Sequence, residues 1–131
     1  MKATPLPIEA RLGLLHELRE VGVRHIDFTG GEPLLCEDLP ALLIEAKQLG
    51  FVTSLTTNCV LYPQRHSELK GLVDFLGFSV NGSTPETHNA VYGIECFDQM
   101  VQSIELAKRH GEMIHLHATA TQATLQGLPS V

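Results

Sequence analysis

The feature that most constrains the fold is a regular alternation of helix-like and strand-like segments. Ile8, Leu12, Leu15 and Leu18 recur at spacings of three and four residues, which is typical of one face of an amphipathic helix, and a short apolar run follows at 23–28. The same pair of patterns recurs along the rest of the chain and predicts the order α-β-α-β-α-β-α-β. Such alternation favours the α/β class, with a parallel sheet and right-handed crossovers.

The boundaries of these elements follow from turn and capping residues. We predict a first helix from near Pro7 to Gly22, and a second between Asp38, a candidate N-cap, and Gly50. A weaker helix is predicted at 64–70 and a strong one from Phe97 to Gly111. The predicted strands are 23–28, 51–57, 75–80 and 113–121.

Composition is that of one ordered domain spanning residues 1–131. Hydrophobic residues make up 44% and charged ones 18%, which argues against disorder. The net charge of −6 argues against a nucleic-acid partner, because counterion release needs clustered Lys and Arg. Neither a membrane-length apolar run nor a secretory signal is evident, so we expect a cytoplasmic protein without a membrane partner.

The three cysteines, Cys36, Cys59 and Cys96, lie far apart. Their number and spacing match neither a disulfide framework nor a compact metal motif. We expect each to be a free thiol in a reducing compartment, and we predict no metal ligands among them.

Three predicted strands end in polar or glycine-rich segments. These are Thr29-Gly30-Gly31-Glu32, Thr56-Thr57-Asn58 and Ser79-Val80-Asn81-Gly82. The carboxyl ends of parallel strands meet on one side of a sheet, where ligands bind in such folds. We therefore expect these segments to form a single carboxyl-end rim.

The first of these segments suggests an acceptor-rich site. Gly30 and Gly31 allow a ligand to approach the backbone, Glu32 adds a carboxylate, and Pro33 removes a donor. That combination suits an ammonium group better than a phosphate. The alternative is an ordinary strand-to-helix turn with an exposed glutamate.

The other two segments offer neutral polar groups. Ser79 and Asn81 point to the same side of their strand and suit a ribose or another polyol, and Thr57 and Asn58 offer similar groups one strand away. The alternative is ordinary capping and turn chemistry.

These segments together resemble a known family. Phe28-Thr29-Gly30-Gly31-Glu32-Pro33-Leu34-Leu35, Thr56-Thr57-Asn58 and Ser79-Val80-Asn81-Gly82, then Pro85-Glu86-Thr87-His88 and Tyr92-Gly93, resemble the corresponding segments of radical S-adenosylmethionine (radical SAM) enzymes. The subgroup that matures molybdopterin, haem and peptide-derived products is the most similar. The resemblance runs from about Ile8 to Leu125.

The resemblance implies a partial (β/α)6 TIM-like barrel, of which this chain supplies the first helix through the fifth strand. It implies that Gly30, Gly31, Glu32 and Pro33 hold the ammonium of S-adenosylmethionine (SAM) and that Ser79 and Asn81 face its ribose, with Thr57 and Asn58 nearby. Enzymes of this family use a [4Fe–4S] cluster to cleave SAM. The resulting 5′-deoxyadenosyl radical takes a hydrogen atom from a small-molecule or peptide substrate.

The chain departs from the family pattern in two places. The family's CxxxCxxC cluster loop precedes the first helix, but the first cysteine here is Cys36, so the cluster ligands are absent. We expect a truncated, mis-started or split product with two open sheet edges, which favour self-association or binding of a complementary segment. Tyr92 stands where relatives often carry an arginine that can pair with a carboxylate.

Two further hypotheses stay open. The chain could be a non-catalytic remnant or binding module. Alternatively, His115 and His117 share one face of a strand and, with His25 or Asp27, could form the metal site of a (β/α)-barrel hydrolase. The simpler interpretation is a polar strand face that binds no metal. His88 is predicted to lie in the turn after 83–85 and to cap or pack the helix that follows.

Overall fold

The computed structural model describes residues 6–122. Its centre is a parallel four-stranded sheet in which neighbouring strands are consecutive along the chain. In chain order the elements are α1 (Ile8–Glu20), β1 (His25–Phe28), a 3₁₀ turn (Pro33–Leu35), α2 (Leu39–Gln48), β2 (Val52–Thr57), α3 (Tyr62–Leu69), β3 (Phe75–Ser79), α4 (Pro85–Tyr92), α5 (Phe97–Arg109) and β4 (Ile114–His117).

Helices cover one face of this sheet, which we call the outer face. Leu55 of β2 and Leu76 and Phe78 of β3 are at most 2% exposed. They share a core with residues of α2, α3 and α5, and the ring of Tyr62 meets Phe78 edge-on at a centroid distance of 5.1 Å. A second cluster around Leu15 and Phe51 joins α1 and α2 to β1. The opposite, inner face carries the alternate residues of each strand.

The predicted strands are confirmed, with shorter limits. β4 ends at His117 instead of 121, because the last pair of its ladder joins His117 to Ser79, the final residue of β3. The Val80 N–H still donates to the His117 carbonyl at 2.8 Å, but the Thr119 N–H donates to the side chain of Asn81 and not to the backbone of a neighbouring strand.

The predicted order lacked one helix, since two helices lie between β3 and β4 instead of one. α4 begins with a capping box between Thr84 and Thr87, has Pro85 in its first turn, and ends at Gly93 with φ of 68°. The turn signals at 83–85 are therefore the start of a helix, and His88 lies inside it and not in a turn.

Asp38 is the N-cap residue of α2, as expected, but its side chain does not cap the helix. Asp38 precedes α2, but its backbone is helical (φ −81°, ψ −1°) and its side chain makes no capping bond. Its carboxylate instead accepts a hydrogen bond from the Arg11 guanidinium on α1. That ion pair joins two neighbouring helices.

The described part of the sheet is open at both sides. Within residues 6–122, β1 and β4 each have a strand neighbour on one side only. Over the same residues, no helix is long and apolar enough to span a bilayer.

Candidate functional site

The carboxylate of Glu32 ties the end of β1 to the end of β2. Its Oε1 accepts hydrogen bonds from the Leu34 N–H (2.9 Å) and the Thr57 hydroxyl (2.7 Å), and its Oε2 accepts one from the Asn58 N–H (2.8 Å). Glu32 is half-buried, so these bonds form in partial shelter from water. The side chain therefore fixes the glycine turn against the neighbouring strand, unlike the exposed glutamate of an ordinary turn.

Gly30 and Gly31 leave open space beside that fixed turn. Both are exposed, and a Cβ built on either one meets no heavy atom within 4 Å. The φ of Gly30 is +134°, a conformation that side chains strongly disfavour. Pro33 is buried and starts the 3₁₀ turn. A ligand can thus approach the backbone at a position that the protein holds rigid.

Thr57 and Asn58 complete this half of the rim. Thr57 is 1% exposed, and its hydroxyl also accepts a hydrogen bond from the Cys59 N–H at 3.2 Å. The Asn58 amide oxygen accepts a hydrogen bond from the Val60 N–H at 3.1 Å. Both residues lie next to Glu32, and their side chains stabilise the turn after β2.

Asn81 holds the other half of the rim together. Its side-chain nitrogen donates to the Tyr92 hydroxyl (3.2 Å), and its side-chain oxygen accepts from the Thr119 N–H (3.0 Å). The Tyr92 hydroxyl donates in turn to the Ser79 carbonyl at 3.3 Å. The Ser79 hydroxyl is half-exposed and makes no hydrogen bond to residues 6–122. Ser79 is therefore the freer of the two residues predicted to face a ribose.

His88 supports Asn81 from below. It is fully buried, its Nδ1 accepts the Asn81 N–H at 3.3 Å, and its ring packs against Tyr92 and Phe97. The predicted packing on the next helix is confirmed through Phe97. Since Nδ1 accepts, the proton lies on Nε2, which has no partner within 6–122. Burial lowers the pKa of His88. The sequence signal for this helix is Thr84, a good N-cap residue, followed by Pro85 at the first helical position.

The cysteines do not form a cluster site. Cys59 and Cys96 are buried, and burial, with a smaller effect of the Glu32 charge, raises the pKa of Cys59 to about 12. Burial also raises the pKa of Cys96. The half-buried Cys36 accepts a hydrogen bond from Arg11 at 3.3 Å. These residues do not fit a [4Fe–4S] cluster, which needs several thiolates in one place.

The inner face of the sheet is a concave surface, and the pocket that it lines has a volume of about 340 Å³. His25 contacts Ser54, and the ring of Phe75 lies between those of His25 and His115. No group of three His, Cys, Asp or Glu side chains in the described part of the chain could hold a metal ion. The hydrolase hypothesis for His115 and His117 is therefore not supported.

The inner-face residues named so far form a first row. A second row, which lies nearer the rim, contains Asp27, Thr56 and His117. The Thr56 hydroxyl donates to both carboxylate oxygens of Asp27 at 3.4 Å, and His117 leans over Gly77 from β4. The two rows together line the concave surface. The inner face thus combines polar side chains with the aromatic ring of Phe75, and it lies next to the rim.

Comparison with known families and curated proteins gives one consistent result. A family model described as the radical SAM superfamily matches residues 2–118. A probable GTP 3′,8-cyclase of Sulfolobus acidocaldarius is 29% identical, over 98% of this chain and 40% of that protein. The chain thus spans less than half the length of this relative.

Solved structures share the fold. SuiB of Streptococcus suis, bound to the precursor peptide SuiA, has a TM-score of 0.80 at 17% identity, over 97% of this chain and 30% of that one. Native anSMEcpe with bound AdoMet and the Kp18Cys peptide has a TM-score of 0.65 at 23% identity, over 85% of this chain and 34% of that one. The predicted fold class, a partial TIM-like α/β barrel, is confirmed.

Proposed function

The chain belongs to the radical SAM superfamily, and we propose that its carboxyl-end rim binds SAM as part of a radical SAM enzyme. The observation that carries the proposal is the glycine turn at Gly30 and Gly31, which Glu32 fixes to β2 while the space beside it stays open. Rigid backbone without a Cβ is what close approach of a ligand requires.

We propose that the turn formed by Gly30, Gly31, Glu32 and Pro33 holds the methionyl ammonium. Backbone carbonyls and a carboxylate are acceptors, and an ammonium carries three donors. Glu32 already accepts three hydrogen bonds from the protein. Its main contribution is then to keep the turn in place and to supply a negative charge beside it, with Thr57 and Asn58 as its anchors.

We propose that the ribose lies against β3. The hydroxyl of Ser79 offers a donor and an acceptor there, and Asn81, whose side chain bonds Tyr92 and Thr119, follows two residues later. SAM, when bound and reduced, supplies the 5′-deoxyadenosyl group that abstracts hydrogen in this family. The [4Fe–4S] ligands of the enzyme are not among the cysteines of this sequence.

The similar proteins indicate two classes of substrate. Two of the similar structures contain peptides, and the similar curated protein is a probable GTP 3′,8-cyclase. We propose a peptide or small molecule. A cytoplasmic location, and self-association through the open sheet edges, stay predictions.

A non-catalytic SAM-binding module is the second candidate, and the misfit of the cysteines to a cluster supports it. The DNA upstream of Met1 separates the two. An in-frame CxxxCxxC within about fifty codons, enough for a strand and its loop, supports the enzyme. Stop codons in that frame support the module.

Equilibrium dialysis with labelled SAM tests the rim. We expect Gly31→Val to weaken binding at least about tenfold, because the new Cβ meets no protein atom within 4 Å and the side chain occupies the open space that a bound ligand would need. Gly13→Val on α1 is the matched control, since a Cβ there also meets nothing within 4 Å. Equal binding by both variants, or no binding by the unmodified chain at millimolar SAM, would contradict the proposal.

A further inference from the structure

We propose that the inner face of the sheet binds an ammonium group of the substrate, with Asp27 as its charge partner. This inference rests on the proposed function, because it assigns a substrate class to the surface beside the SAM rim. It is carried by the charge of the inner face, its aromatic floor and the space that Gly77 leaves above β3.

Charge is the first of these observations. Asp27 is exposed, its only hydrogen bonds to residues 6–122 are the two long ones from Thr56, and it forms no ion pair there. No described Lys or Arg lies on a strand. They lie on helices or connecting loops: Arg11, Arg19, Arg24, Lys47, Arg65, Lys70, Lys108 and Arg109.

This distribution of charged side chains determines whether the inner face favours an anionic or a cationic ligand. A polyphosphate needs cationic or N–H donors, and the inner face within 6–122 offers neither an ammonium nor a guanidinium. An unpaired carboxylate in a concave surface attracts a cation instead. The Asp27 oxygens can accept further bonds, since a carboxylate offers about four lone-pair sites.

The aromatic rings that form the floor of the concave surface are the second observation. The half-buried ring of Phe75 has the rings of His25 and His115 at centroid distances of 6.2 and 5.3 Å. An aliphatic stem can pack on these rings, and an aromatic face attracts an ammonium. An alkyl amine, such as a lysine side chain, matches both the floor and the carboxylate.

The third observation is that Gly77 of β3 carries no side chain. A Cβ there would lie 2.7 Å from Nε2 of His117, closer than real Cβ atoms approach, and 3.0 Å from the Thr56 hydroxyl, which is a tight contact. Glycine therefore lets the His117 imidazole lean across β3 toward Thr56. Asp27, Thr56 and His117 become one row, which we call the acceptor row.

The acceptor row lies one step from the rim. Thr56 immediately precedes Thr57, and His117 is the register partner of Ser79. An ammonium has three donors, and the row presents a carboxylate, a hydroxyl and an imidazole. A substrate amine held there stays beside the proposed ribose position.

NMR titration with two probes tests the inference. We follow the ring signals of His117 and the methyl signal of Thr56 while adding Nα-acetyl-lysine amide or sodium triphosphate. The lysine probe is expected to shift both signals, and Asp27→Asn to weaken its apparent affinity about tenfold through loss of a charge-assisted bond. Triphosphate is expected to shift neither.

A matched variant and a second titration complete the design. Asp98→Asn removes the same charge from an exposed site on α5 and is expected to leave the lysine response unchanged. A stronger response to triphosphate, a response that survives Asp27→Asn, or no response to the lysine probe would overturn the inference. SAM titration, followed at the Gly30 and Gly31 amides, reports separately on the proposed function.

Discussion

The two faces of the sheet are made by alternate residues of the same strands, yet they differ in almost every physical respect. On the outer face, Leu55 and Phe78 are completely buried under helices. On the inner face, Asp27 and His117 are exposed and carry the polar contacts. The outer face supplies the stability of the fold, and the inner face and its rim are left free for ligands.

The rim belongs to neither face alone. Thr57 has the parity of the outer face and is buried, but its hydroxyl anchors Glu32, which fixes the open glycine turn. His88 likewise lies in the packed layer while its Nδ1 holds the Asn81 N–H. Buried groups under the rim thus position the exposed ones, which is what a preorganised site requires.

The largest expected effect is on the outer face. Phe78→Ala removes a fully buried ring and its edge-on contact with Tyr62, and we expect the free energy of unfolding to fall by about 3–5 kcal/mol. Chemical denaturation of the purified chain measures it.

An inner-face histidine provides the contrast. His115 is exposed on β4, so we expect His115→Ala to lower the free energy of unfolding by no more than about 0.5 kcal/mol. Similar losses in the two variants would contradict the division between the faces.

A smaller effect is expected at the rim. Glu32→Gln replaces one acceptor oxygen with an amide that faces N–H or O–H donors, so at least one of three hydrogen bonds is lost. We expect a loss of about 1–3 kcal/mol in the free energy of unfolding. Glu105→Gln, at an exposed position of α5, is the control and should be close to neutral. Equal stability of both variants would mean that the carboxylate does not fix the turn.

The smallest effect is a pH dependence from His88. Burial lowers its pKa in the folded chain, so below the ordinary pKa of about 6.5 the unfolded chain binds the proton more readily. The contribution of His88 is complete above that pH and is lost as the pH falls below it.

NMR provides a direct readout for this residue. We expect the thermal midpoint to fall as the pH drops below about 6.5, with the His88 ring of the folded chain still neutral at a pH where an ordinary histidine begins to protonate. A His88 ring that protonates with an ordinary pKa in the folded chain would contradict this assignment.

Much of the fold could be predicted because its signals are local. Apolar residues recur at short, regular spacings within the strands and within α5, so this periodicity alone located these elements. α4 was missed because Thr84 and Pro85 also occur in turns, and the capping box between Thr84 and Thr87, which lacks the usual Glu or Gln, is evident only in the structure.

The site was only partly predictable because its contacts are distant in sequence. The glycine turn and Ser79 follow from strand ends, but Glu32 bonds to Thr57 and Asn58 across 25 and 26 residues. Which partner a carboxylate meets depends on strand register, and the sequence does not state that register. Asp38 shows the same limit, since Arg11 on another helix replaces the expected cap.

The central claim is that the carboxyl-end rim binds SAM, and an amide chemical-shift map during SAM titration tests it most directly. We expect the largest shifts at Gly30, Gly31, Asn58 and Ser79, at the carboxyl ends of three neighbouring strands, with the exposed helix faces unchanged. Shifts confined to the helices, or no shifts at millimolar SAM, would contradict the claim.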